Sequence, residues 1–295
     1  MSTDQQWDIV TGVGLTALAV AAGRAAESAR PDALITDPYA ARLVAAAQAP
    51  VPFPFADGAE GAAGMASEDE ELWRGATDYI GLRSRVFDDY FLSASEEGIR
   101  QAVILASGLD TRPYRLSWPS GTVCFELDQP AVLAFKSETL EGEGATPGCD
   151  RRPVPIDLRE DWGAALEAAG FDPSRPTAWL AEGLLPYLPP EAEVRLFTEV
   201  SRLSAAGSRF AVERIDNVMQ VLDDETMVER SKSLGMDFRS LFPEGDRSPV
   251  ADQLKGLGWE LEEHGVAESA AALDRPVPGI TIFAEHVSHT FGRLG

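Results

Sequence analysis

The first hundred residues carry helical patterning. Residues 8–30 are Ala-rich and broken at Arg30-Pro31, and Asp37-Pro38 opens a second short helix through Ala47. Residues 48–66, with QAPVPFPF near their start and DGAEGAAG near their end, are punctuated by Pro and Gly and read as loop or lid. Ser67-Glu68-Asp69-Glu70 matches a capping box and predicts a helix running to about Ser93. Its apolar stripe is Leu72, Ala76, Tyr79, Val86, Phe87 and Tyr90; Arg83 falls inside that stripe and Arg85 on the opposite side. A guanidinium facing a core must find an anion. An internal ion pair and a ligand carboxylate both answer that need.

From residue 101 short apolar runs alternate with helical segments. AVILA (102–106), TVCFELD (122–128), PVPID (153–157), a strand within TAWLAEGLLPYL (177–188) and SRFAVERI (208–215) predict five strands. Helices are expected from Pro130, over 161–170 and over 190–204. A polar helical insert follows over 216–248, then helix 250–257 and strands 259–264 and 279–288. The alternation predicts an α/β fold with a doubly wound, Rossmann-like parallel sheet covered on both faces. Residues 1–295 are read as one domain: a helical cover (1–95), a ligand-binding core (96–215), a lid-forming insert (216–250) and C-terminal strands (251–295).

Composition narrows the chemistry. Against 48 Asp and Glu stand 25 Lys and Arg, a formal net charge of −23, which excludes a polyanion-binding surface and so nucleic acid or anionic membrane as partner. Cys124 and Cys149 are too few for a disulfide framework, and the N-terminus lacks a basic leader, so the expected compartment is the cytoplasm. The apolar run 15–22 is too short to span a bilayer. His264, His286 and His289 have no cysteine near them, and no metal site is expected.

In a doubly wound sheet, ligands lie beyond the carboxyl ends of the strands. The first predicted strand runs into Ala106-Ser107-Gly108-Leu109-Asp110, a small-residue turn that is not G-x-G-x-x-G. The second ends in Glu126-Leu127-Asp128, with Asp128 placed 20 residues after Gly108. An acid at that spacing suits ribose hydroxyls; capping of the helix after Pro130 is the alternative. Glu126 shares its face of the strand. The third strand ends Asp157-Leu158, able to bond and cover an adenine edge or to cap the next helix, and the fourth leads into Glu182. Acids beside small residues suit a ligand with a ribose, an adenine and positive charge. S-adenosylmethionine has all three, and Arg83 would meet its lone carboxylate.

VILASGLDTRPYRL (103–116), FELDQPAVLAFK (125–136), VPIDLREDW (154–162) and PTAWLAEGLLPYLPPEA (176–192) resemble the class I S-adenosylmethionine-dependent methyltransferases of the leucine carboxyl methyltransferase-like family. The resemblance is closest to its bacterial branch, which includes polyketide O-methyltransferases, and DIVTGVGLTALAVAAGRA (8–25) extends it over 8–215. It implies a cofactor site built from Arg83, Ala106, Gly108, Asp128, Asp157, Leu158 and Glu182. The family's first turn glycine is here Ala106, whose methyl would crowd the methionine portion of the cofactor and, at positive φ, would cost ~1 kcal/mol. The implied activity is O-methylation of a carboxylate or hydroxyl of a small molecule, in secondary metabolism, with Tyr187, Arg214 and the insert as pocket walls. A carboxylate acceptor needs no base, in keeping with the lack of histidine near the predicted strand ends. Two other readings compete: an inactive nucleoside-binding or scaffolding protein, and a nicotinamide oxidoreductase, which the missing glycine fingerprint disfavours.

Overall fold

A computed structural model describes residues 13–48, 67–216, 223, 238–275 and 286–295. Seven strands form one sheet: β1 (Gln101–Leu105), β2 (Val123–Asp128), β3 (Asp150–Pro155), β4 (Ala178–Ala181), β5 (Arg209–Ile215), β6 (Trp259–Gly265) and β7 (Val287–Leu294). Their order is β3-β2-β1-β4-β5-β7-β6. β1 to β5 pair in parallel, and β7 runs antiparallel between β5 and β6. This corrects the expectation of a uniformly parallel sheet. The expected final strand at 279–288 begins instead at Val287, and 276–285 lie outside the described residues.

The chain reverses direction along the sheet between β1 and β4, so their diverging connections leave a crevice at their carboxyl ends. On one face lie α6 (Trp162–Ala168), α7 (Pro190–Arg202) and α8 (Val250–Gly256), closing a core around Val103, Phe125, Trp179 and Phe210. On the other lie α3 (Ser67–Glu96) and α5 (Pro130–Gly142), backed by α1 (Val13–Ser28) and α2 (Ala40–Ala47). The short α4 (Arg112–Arg115) follows β1, and α9 (Val266–Ala272), which periodicity did not predict, follows β6. β3 tolerates Pro153 and Pro155 because it is an edge strand, where a missing N–H costs no ladder bond on its open side.

The helix α3 begins at Ser67 as predicted but is not single-striped: Thr77, Asp78, Ile80, Leu82 and Ser84 are buried along with Tyr79, Phe87 and Tyr90 of the expected stripe, while Ala76 and Val86 are half-buried. The helix is sandwiched between the sheet and α1. Gly23 stands against Ile80 and Gly81 against Glu27, so close that a Cβ on either glycine would fall within 3 Å of the neighbouring side chain. Small residues at that crossing let the second helical layer form. No helix among the described residues is long and apolar enough to cross a membrane. Most of the predicted loop at 48–66 and of the predicted insert lies outside the described residues, which include a short 3-10 turn at Phe238–Leu241.

Candidate active site

The strand ends meet at the crevice. The turn after β1 is pinned to β2 by the Ser107 N–H, which donates to the Leu127 carbonyl at 2.9 Å. Two residues of this turn are left-handed: Ala106 at φ 50° and Gly108 at φ 47°. Glycine is at home there; alanine is strained by ~1 kcal/mol. Ala106→Gly is therefore expected to stabilise the fold by about 0.5–1 kcal/mol and to tighten cofactor binding. Chemical denaturation checks the first and calorimetry the second.

Asp128 does not cap α5, whose N-cap position is Gln129. Its carboxylate reaches back to the first turn, accepting from the Gly108 N–H at 2.6 Å and from the Gln129 N–H at 2.7 Å. Burial pushes this carboxyl above its ordinary value, and the two amide bonds pull the other way without cancelling it. An acid spends desolvation energy here and still keeps free lone pairs, an arrangement suited to accepting from a diol.

Asp157 does not cap α6 either, since Asp161 occupies that position. It accepts from Gln129 Nε2 at 2.7 Å and from the Arg159 N–H at 2.8 Å. Burial raises its carboxyl, but the bonds from Arg159 and Gln129 outweigh that and hold it below the usual range. Leu158 beside it is half-buried against the core. By contrast Glu126, on the same strand face as Asp128, is sealed off. Lys136 Nζ sits 2.7 Å from it, and the Arg151 guanidinium bonds its second oxygen. Burial beneath α5 makes Glu126 an internal counter-ion, which corrects its reading as one of two ligand-facing acids.

Arg83 is brought to Glu182, but also to an acid the sequence did not single out. Its Nε lies 2.8 Å from Glu182 Oε1, off line for a hydrogen bond, and its Nη1 is 3.1 and 3.0 Å from the two oxygens of Glu213 on β5. Glu182 Oε2 accepts from Arg112 at 2.7 Å, and Arg112 also bonds Asp88 and Asp110. Arg115 joins Asp88. Three guanidiniums thus face four carboxylates, a buried cluster with one negative charge in excess. Periodicity missed Asp88, Arg112, Arg115 and Glu213. The charge-dense DTRPYR after the first strand was the visible sign of Arg112 and Arg115.

Arg214 falls on the sheet face opposite Glu213, held to Glu263 at 2.7 Å, so it is not gathered with Arg83. Tyr187 stacks on Phe242 with ring centroids 4.9 Å apart. The expectation of no histidine near the strand ends is corrected by β7, which sets His289 opposite Glu213, and by the residue just before that strand. The chain returns so that the Asp216 N–H bonds the His286 carbonyl at 2.7 Å, placing His286 beyond the carboxyl end of β5. Its sequence neighbours carry no such signal, because β7 pairs with a strand over 70 residues earlier.

A sequence profile of leucine carboxyl methyltransferase matches residues 17–201. The chain belongs to that family. A Saccharopolyspora erythraea protein described as a "putative S-adenosyl-L-methionine-dependent methyltransferase" is 51% identical over 277 residues, covering 94% of this chain and 93% of the relative. One from Mycolicibacterium gilvum with the same description is 49% identical over 279 residues, covering 93% and 91%. Among solved structures, a DUF574-family protein of Streptomyces avermitilis aligns with TM-score 0.57 and 18% identity over 86% of this chain and 97% of its own. A "putative methyltransferase" of Thermobifida fusca aligns with TM-score 0.52 and 18% identity over 94% of each chain. These two share the fold. The leucine carboxyl methyltransferase family is one of S-adenosylmethionine-dependent methyltransferases, and S-adenosylmethionine is this chain's methyl donor. The strand ends fit that group: a free-lone-pair acid for a diol, an acid with an apolar partner, and excess negative charge for a sulfonium and an ammonium.

Proposed function

We propose that this methyltransferase transfers the methyl group to an oxygen of a small molecule, with a carboxylate as the favoured acceptor. Asp128 would hold the ribose, Asp157 with Leu158 the adenine, the 106–108 turn the methionine arm, and Arg83 with Glu182 its charged end. When bound, S-adenosylmethionine supplies a methyl already activated by its sulfonium. What remains for the protein is alignment and exclusion of water. The observation that carries the reading is the succession of strand ends along β1 to β4, each supplying the type of group that one part of the cofactor requires.

A carboxylate is already ionised at neutral pH and needs no general base, and the strand ends of β1 to β4 offer carboxylates locked in ion pairs and amide bonds. A hydroxyl acceptor is the second reading, and the placement of residue His286 beyond the end of β5 favours it. Methyl-labelled S-adenosylmethionine incubated with matched carboxylate and phenol panels separates the two. We expect labelled esters, with rates flat above about pH 6 and unaffected by His286→Gln. Transfer to phenols alone, rising with pH and lost in His286→Gln, favours the second reading; no transfer to any oxygen overturns both. The expected setting is a cytoplasmic enzyme of secondary metabolism.

A further inference from the structure

Buried behind Arg83 is a group the methyl transfer does not itself require. Glu213, near the end of β5, is almost wholly enclosed, and both its oxygens are engaged. One accepts from the Tyr79 hydroxyl and from Arg83, and the other from the Gly183 N–H at 2.6 Å and again from Arg83. Gly183 sits at φ 60°, in the turn that carries Glu182. One carboxylate therefore ties α3, β5 and the turn after β4 into a unit around the Arg83 guanidinium.

The surroundings concentrate this charge on Arg83. Glu182 divides its two oxygens between Arg83 and Arg112. The guanidinium that Glu213 meets is that of Arg83. His289, its direct cross-strand partner, stacks on Tyr79 and is pushed down by burial to about 4, so it is neutral and shares none of the charge. Burial opposes ionisation of Glu213, but Arg83 and the Tyr79 hydroxyl outweigh it and hold the acid below its ordinary range.

We infer that Glu213 is a positioning residue that restrains Arg83, neutralising part of the charge that would otherwise grip the carboxylate of the bound cofactor. This rests on the cofactor placement proposed above. Arg83 restrained in this way binds the amino-acid arm weakly, so product carrying the same arm leaves readily. Tyr79 adjusts the restraint: its hydroxyl draws on the same carboxylate oxygen and lessens the hold on Arg83.

The test compares two ligands, S-adenosylhomocysteine and 5′-methylthioadenosine, which share adenosine and sulfur but differ in the amino-acid arm. In Glu213→Gln, an isosteric change, the amide oxygen can still accept from Gly183 and the NH2 can donate to the Tyr79 oxygen, while the charge is gone. Calorimetry should show S-adenosylhomocysteine binding tighter by several-fold to about tenfold, with 5′-methylthioadenosine unchanged. Tyr79→Phe should do the reverse to S-adenosylhomocysteine, weakening it several-fold, and again spare 5′-methylthioadenosine. That second variant decides the matter if Glu213→Gln does not fold. Parallel shifts of both ligands in either variant mean a merely structural role and overturn the inference. So does an unchanged or weaker S-adenosylhomocysteine affinity in Glu213→Gln. If the unaltered protein binds neither ligand, the cofactor placement itself fails; if it binds both and the variants behave alike, only the role of Glu213 fails.

Discussion

Arg112→Met should lower the stability of the fold by about 3–5 kcal/mol, the cost of stripping a buried ion cluster of one partner. Arg112 is nearly inaccessible and answers three acids, at 2.7 Å to Asp88, 2.5 Å to Asp110 and 2.7 Å to Glu182. With Arg112 gone, Asp110 loses the guanidinium that does most, after burial has raised it, to hold its carboxyl below the ordinary range. Asp88 keeps Arg115 and Glu182 keeps Arg83, which limits the loss rather than cancelling it. Urea denaturation measures the change. Arg85→Met is the internal control, because its exposed pair with Asp89 is worth little, and its midpoint should barely move. Equal effects of the two substitutions would show that the cluster contributes nothing beyond a surface pair.

Asp128→Ala should weaken S-adenosylhomocysteine binding by about 1–3 kcal/mol, roughly fivefold to 150-fold. Two losses add: the acceptor for the ribose, and the clasp on the Gly108 N–H that fixes the first turn. The acid also predicts a pH dependence with a definite sign. Only the ionised carboxylate accepts from both hydroxyls, and burial raises its pKa. Affinity should therefore fall as the pH is lowered, starting at a pH above the ordinary carboxylate range near ~4. Asp128→Asn should bind less tightly at pH 8 and lose this dependence. Calorimetry between pH 8 and pH 5 reads both, and a pH-independent affinity in the unaltered protein would mean that Asp128 only braces the turn.

The strand ends were legible because their signals are local. A small-residue turn, an acid 20 residues on and acids closing successive apolar runs can all be read along the chain. Ala106 was marked by the resemblance as the odd residue of the turn, and the structure places it at φ 50°. What stayed hidden depends on distant pairing. Glu126 reads like Asp128 two positions later, and only Lys136 from the overlying helix separates a sealed ion pair from a ligand-facing acid. Arg83 was legible as a cation in need of an anion, but not that Glu213, 130 residues away, supplies one. The antiparallel β7 was out of reach for the same reason: strand direction is set by partners, and β7 finds its partners across α8, β6 and α9.

A crystal structure of the protein with S-adenosylhomocysteine bound would show what each strand end holds. The ribose hydroxyls should lie within hydrogen-bond distance of the Asp128 carboxylate, the adenine against Asp157 and Leu158, and the carboxylate end beside Arg83. A nucleoside lodged elsewhere, with Asp128 bonded only to the Gly108 and Gln129 amides, would contradict this placement.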